Sequence, residues 1–224
     1  DPTKQTVTEL LGAARIEADQ PAFGLHPYGR PGQAFDGDPT TAWQTGGLST
    51  AAGDRITLVL DEPTTISEVS VTPLGSAPSR VSAVSVQVGA NRVVQPIPAV
   101  TRGAIAVPIT PTRSDRVTVT ILSQTRGSNP VGLSEVAVGD ITVREVTRLP
   151  RTLARLVEGA DAATLDALAD APLDIVLTRA RGLAADLSDD EESQLDRRFD
   201  LPQDRTATFT AELSVNGADP ALVA

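Results

Sequence analysis

An all-β fold is what this 224-residue sequence predicts, and three observations carry the expectation. From Arg55 onward apolar and polar residues alternate: Ile56, Leu58 and Leu60, then Val69 and Val71, then Val84, Val86 and Val88, then Val117, Val119 and Ile121. A period of two sends one row of side chains inward and the other to water. Turn residues divide the runs at short intervals, in DEPTT, PLGSAPS, GANR, PTRSD and TRGSNP. Many short β-branched strands between such turns read as a β-sandwich. Finally, hydrophobic residues make up 40% of the chain and aromatic ones only 3%, so Val, Leu, Ile and Ala must fill the core. No cysteine is present, so no disulfide supports the fold.

Taken in order, Thr6 to Ala18 carries Val7, Leu10, Leu11 and Ala14 at helical spacing. This predicts a short helix leading into a strand at Ala14 to Ala18. QPAFGLHPYGRPGQ, too rich in Gly and Pro for regular structure, brings the only histidine (His26), the only tyrosine (Tyr28) and Arg30 together in a loop. A ring that stacks on C–H bonds, beside an imidazole and a guanidinium that hold hydroxyls, suits a sugar site. The competing reading makes Tyr28 a packed plug and His26 a turn residue. Next comes AFDGDPTTAW, Ala34 to Trp43, where two aspartates and two threonines sit between Phe35 and Trp43. Asp-Gly and Pro39 favour a turn. A turn that gathers oxygen donors fits a hard cation, and calcium best, since it takes six to eight oxygens, carbonyls included. Alternatively it is a solvated turn whose Asp36 caps nearby amides. Ala99 to Pro108 lies among Pro96, Pro98, Pro108 and Pro111, which assigns it to an edge or to loops. SQTRGSNPVG offers Arg126 and Asn129, either sugar-binding groups or ordinary turn residues.

Near Pro150 the pattern changes. Arg151 to Val157 and Ala162 to Ala171 carry Leu and Ala at helical spacing, with Asp161 as N-cap and Pro172 as the stop. LDIVLTRARG then reads as a buried strand, and Asp189 to Glu192 as an acidic, solvated turn. LDRRFDLPQDRTATFTAELSV alternates again, with Phe199, Leu201, Phe209 and Leu213 on one side. These strands are too few to close a second sandwich. The expected division is therefore 1–148 as a first β-sandwich, 149–171 as a helical linker, and 172–224 as a partial second β-sandwich completed by residues outside this segment. Residues 151–224 carry 15 acids and 7 bases while residues 1–150 carry 14 and 12, a charge shift at the same boundary.

D-G-D-x-x-T-x-W, from Asp36 to Trp43 and preceded by Phe35, resembles the signature of the discoidin family, also called F5/8 type C or galactose-binding-like domains. GDRITLVLDEPTTISEVSVTPL (Gly53 to Leu74) is similar to that family's strand-turn-strand, and NPVGLSEVAVGDITV (Asn129 to Val143) to its closing strand. The resemblance covers about Ala13 to Val146. It implies a jelly-roll sandwich with one structural calcium, held by Asp36 and Thr41, a contribution from Asp38, and Glu135 returning from the last strand. It also implies loops at one end that would bind carbohydrate through His26, Tyr28, Arg30, Arg126 and Asn129. GLSEV, TRLPR and L-x-R-x-F-x-L-P-x-x-R-T together resemble the extracytoplasmic part of large membrane α-(1→3)-arabinofuranosyltransferases of mycobacterial-type cell walls. That resemblance implies a GT-C-type catalytic membrane domain elsewhere in the parent, using a lipid-linked arabinose donor. It implies as partners a cell-wall glycan (arabinan or galactan) and the remainder of that membrane-embedded enzyme. The location would be the periplasmic face of the plasma membrane.

Other functions fit poorly. A formal net charge of −10 argues against nucleic acid, whose phosphates need a basic face. A Ser-His-Asp arrangement would have to use His26 in its Pro/Gly loop, and no G-x-S-x-G elbow exists. A glycosidase needs two carboxylates on opposite sides of a sugar, whereas Asp36 and Asp38 share one turn. No zinc, P-loop or dinucleotide pattern occurs. No apolar run approaches a membrane span and no signal sequence opens the chain, so Asp1-Pro2 reads as a cut-out or mature start. The segment is expected to be non-catalytic: a carbohydrate-binding or scaffold module, or a purely structural calcium-stabilised discoidin-like domain.

Overall fold

The described residues form the strands β1 (Val7–Leu11), β2 (Arg15–Ala18), β3 (Trp43–Thr45), β4 (Arg55–Pro73), β5 (Val81–Val88), β6 (Asn91–Pro96), β7 (Ile105–Gln124), β8 (Val131–Val138), β9 (Arg144–Arg148) and β10 (Arg197–Arg198), with burial alternating most clearly in the second half of β7. A helix, α1, spans Ala162–Asp170. The computed structural model describes residues 7–19, 29–46, 49–74, 79–99, 101, 103–126, 130–149, 151, 154–155, 157–171, 175, 177 and 197–201. The chain divides into two compact units, 1–149 with 176–198, and 150–175 with 199–224.

The two longest strands build the first unit. The first half of β4 lies between β2 and the second half of β7, with Ile16 opposite Leu58 and Ile56 opposite Val119. Its second half lies between the start of β7 and β8, so that Val69 pairs with both Val107 and Val138. Register breaks between Val59 and Thr64 and between Ile66 and Glu68 separate these halves. Such irregularities bend a strand and let it serve two sheets. One layer is thus β2–β4–β7–β5–β6, and the other is β3–β8–β4–β7. Ile56, Leu58, Val84, Val86, Val117, Val119 and Ile121 from the first layer meet Val69, Val71, Val107, Leu133, Val136 and Val138 from the second in one buried cluster. The fold is the all-β sandwich that the alternation predicts. Prolines keep to edges as expected: Pro96 ends β6, and Pro108 lies where β7 has only β4 beside it.

The expected N-terminal helix is a correction. Val7–Leu11 is a strand, paired antiparallel with β9 from Val7 opposite Arg148 to Leu11 opposite Arg144. Five residues are too few for a stable helix, and the same apolar spacing also fits a strand once β9 supplies its hydrogen bonds. The strand at Arg15–Ala18 forms as expected. β10 adds to the other side of β9, in parallel.

In the second unit, Asp161 caps α1 by accepting the Thr164 amide at 2.8 Å, as its position in the sequence predicts. Among the described residues no helix is long and apolar enough to cross a membrane. Most of 172–224, including the acidic turn Asp189–Glu192, Phe209 and Leu213, lies outside the described residues.

Candidate functional site

The loop between a short 3-10 turn (Pro31–Ala34) and β3 draws oxygen atoms together. Thr41 Oγ1 lies 3.0 and 2.8 Å from the two carboxylate oxygens of Asp36, 2.9 Å from the Asp38 carbonyl and 3.3 Å from the Gln33 carbonyl. A hydroxyl has one proton to donate, so most of these contacts set lone pair against lone pair. Local turns hold the arrangement: the Asp38 amide donates to Asp36 Oδ1 at 2.9 Å, and Thr40 donates to Asp38 Oδ1 from its amide and its hydroxyl. The Asp38 carboxylate is thereby occupied by Thr40, and its carbonyl faces Thr41. Gly37 has φ +75°, a left-handed conformation that suits glycine. Its amide donates to Glu135 Oε2 at 3.0 Å, so the carboxylate of β8 closes on the loop.

Electrostatics push both acids towards the neutral form. Burial, then the negative Asp36, raises the Glu135 carboxyl to about 7. Asp36 is also raised, by burial first and, among the charges, by Asp38. Two half-buried carboxylates facing one loop invite a positive charge. Among the described residues no group of three or more His, Cys, Asp or Glu side chains gathers to hold a metal. Here two carboxylates converge with carbonyls and a hydroxyl, a donor set that fits calcium and not a softer metal such as zinc.

The loops expected to face ligand flank the edge strand β3. Gly29 packs on Gln44, where an added Cβ would lie 3.3 Å from Gln44 Cβ. Thr45, the next residue, pairs with Val131, the first residue of β8 after the loop that contains Arg126. Arg126 is exposed, and its carbonyl is fixed by Ser79 Oγ at 2.7 Å and Gln124 Nε2 at 3.0 Å. Gln124 Oε1 also accepts the Ala51 amide at 2.7 Å, so one side chain ties three loops together. Arg30 donates from Nη1 to Glu145 Oε1 at 3.0 Å and is half-buried; the sequence reading gave it a role in holding hydroxyls, and the geometry gives it an ion pair. His26, Tyr28 and Asn129 lie outside the described residues. Sequence reasoning missed Gln33, Gln124 and Glu145. Gln33 contributes a main-chain carbonyl, which leaves no side-chain signal, and the other two pair across long sequence separations.

Compared with known protein families, residues 13–149 match the family described as arabinofuranosyltransferase D, third carbohydrate binding module. The chain belongs to this family. Among solved structures it is similar to the cryo-EM structure of the arabinofuranosyltransferase AftD from Mycobacteria, with 21% identity and a TM-score of 0.57. That alignment covers 65% of this chain and 12% of the AftD chain, so the module spans about an eighth of that enzyme's length. The CBM32 module of AlyQ, solved in complex with 4,5-unsaturated mannuronic acid, aligns at 16% identity and a TM-score of 0.44, over 59% of this chain and 98% of that one. A pectin-binding carbohydrate-binding module aligns at 15% identity and a TM-score of 0.45, over 60% and 93%. No curated protein matches the sequence. At 21% identity the AftD structure shows a shared fold alone, and the family match shows that the chain is an AftD-type carbohydrate-binding module.

Proposed function

We propose that this module is non-catalytic and holds cell-wall arabinan or galactan close to the catalytic part of a membrane arabinofuranosyltransferase, at the periplasmic face. The observation that supports this reading is that the ends of two loops reach neighbouring residues of the edge strand β3. The Gly29–Arg30 stretch packs beside Gln44, and the Arg126 loop enters β8 opposite Thr45. Tyr28 is the stacking face in this reading, with His26, Arg126 and Asn129 as hydroxyl partners. Arg30, drawn to Glu145, steadies the base of its loop. Weak binding is expected of such a site, so tethering to the enzyme would supply much of its effective affinity.

Calcium belongs to the same proposal as a brace. Asp36 and Thr41 side chains, the Gln33 and Asp38 carbonyls and Glu135 would hold it. When bound, it neutralises the two carboxylates and fixes the loop that leads into β3. The chain's own residues perform the recognition: Gln124 and Ser79 hold the Arg126 loop in place. The oxygen cluster also fits a second reading, in which calcium stabilises the fold and no sugar binds. A glycan array carrying arabinan and galactan fragments decides between them. Retention on either supports the binding reading, and retention on neither leaves the purely structural one.

A further inference from the structure

The outward face of the first layer is not flat. A groove of about 570 Å³ crosses β2, β4, β7 and β5, within the range of about 300–1,000 Å³ typical of ligand sites. Its floor is polar. Thr57 is 5% exposed and shares a 2.9 Å hydrogen bond with Thr118, and Ser114 is 8% exposed. Its walls are planar charged groups already paired with one another. Arg116 grips Glu17 through two bonds of 3.0 and 3.2 Å, Arg15 joins Glu17 at 2.7 Å, and Arg55 lies 3.5 Å from Asp19. Arg116, then Arg15, holds the Glu17 carboxyl down to about 2.

These pairings decide the ligand chemistry. Asp115 also lines the groove, so three guanidinium groups (Arg15, Arg55, Arg116) stand against three carboxylates (Glu17, Asp19, Asp115), and no excess charge of either sign attracts a polyanion or a polycation. No aromatic or large aliphatic side chain lines it, so it has no seat for an apolar ligand. It does offer hydroxyls, a carboxamide (Gln87), and forked donors beside acceptors, and such groups bind vicinal hydroxyls. The ion pairs are half-exposed, so opening them to admit a ligand costs little. We propose that this face is a second carbohydrate-binding groove, which takes a neutral, polyhydroxylated chain across four strands. The proposal is independent of the loop-end site and relies on the binding reading above only for the choice of probe.

The test is an amide-resolved NMR titration of the full 224-residue chain with an arabinan oligosaccharide at millimolar concentration, beside an oligogalacturonate of equal length. Saturable shifts are expected at the Thr57, Gln87 and Thr118 amides with the neutral chain, and shifts about tenfold weaker with the acidic one. Arg116→Met should weaken the groove response at least about threefold while leaving shifts near Arg126 in place. Thr118→Phe, which fills the groove without touching the ion pairs, should abolish it. Silent groove amides with responsive loop amides would overturn the groove and leave the loop-end reading standing. Responsive groove amides with silent loop amides would support the groove and remove the loop-end site. Equal response to the acidic chain would overturn the assignment to a neutral ligand.

Discussion

Thr41 carries the residue-scale argument, because its single hydroxyl stands among four acceptor oxygens. A ligand that binds only the folded state stabilises it by mass action, by about 2.7 kcal/mol at a hundred times its dissociation constant. Calcium is therefore expected to raise the melting temperature, and chelator to lower it. Asp36→Ala should abolish that response, while Asp189→Ala should leave it intact; superimposable wild-type melts would speak against the site. Glu135 adds a pH dependence of known sign. Its folded value of about 7 lies above the unfolded value near 4.5, so the folded apo state holds the extra proton between them. In chelator, wild-type stability should fall as pH rises from about 4.5 to 7. Glu135→Gln should flatten that fall, melt higher than wild type at pH 8 in chelator, and no longer respond to calcium. Asp36 and Thr41 were legible in the sequence because their side chains carry the chemistry, and Glu135 only through the family resemblance. The carbonyls of Gln33 and Asp38 were not, since every residue has one and only the folded backbone selects which converge.

At the scale of elements, β3 and β8 position both the loop proposed to hold calcium and the loops proposed to face ligand. They approach so closely that a Cβ on Gly132 would lie 2.0 Å from the Trp43 carbonyl. Gly132→Ala should cost about 1–3 kcal/mol as an overpacking change and should disturb calcium binding and glycan binding together. Trp43 is fully buried and is the chain's only tryptophan, so its emission during urea unfolding reports the loss. β4, β5 and the second half of β7 were legible because each alternates against a shared core, and β8 through the family resemblance. Val7–Leu11 was not, because its partner β9 lies more than a hundred residues away and a five-residue apolar pattern fits either period. Nor does local sequence mark that β4 and β7 each serve two layers; the bends at Val59–Thr64 and Ile66–Glu68 become visible only through their partners.

At the scale of the whole molecule, a valine-rich sandwich with few aromatics provides the frame, and the proposed binding sites are placed on its edge loops and its outward face. The discoidin resemblance was legible in a short signature around Asp36 to Trp43, because that turn needs unusual residues in a fixed order, and the arabinofuranosyltransferase family in GLSEV, TRLPR and L-x-R-x-F-x-L-P-x-x-R-T. Ligand choice was not, since hydroxyl-binding groups also serve as ordinary turn residues. Glycan binding is the central claim, and its most direct measurement is a calorimetric titration of the calcium-loaded chain with arabinan and galactan oligosaccharides. Saturable binding is expected at high micromolar to millimolar concentration, about −4 to −6 kcal/mol. Tyr28→Ala and Arg126→Ala should each weaken it several-fold while leaving the melting temperature nearly unchanged. Absence of saturable heat with either glycan at millimolar concentration, from a protein that melts cooperatively, would contradict the claim.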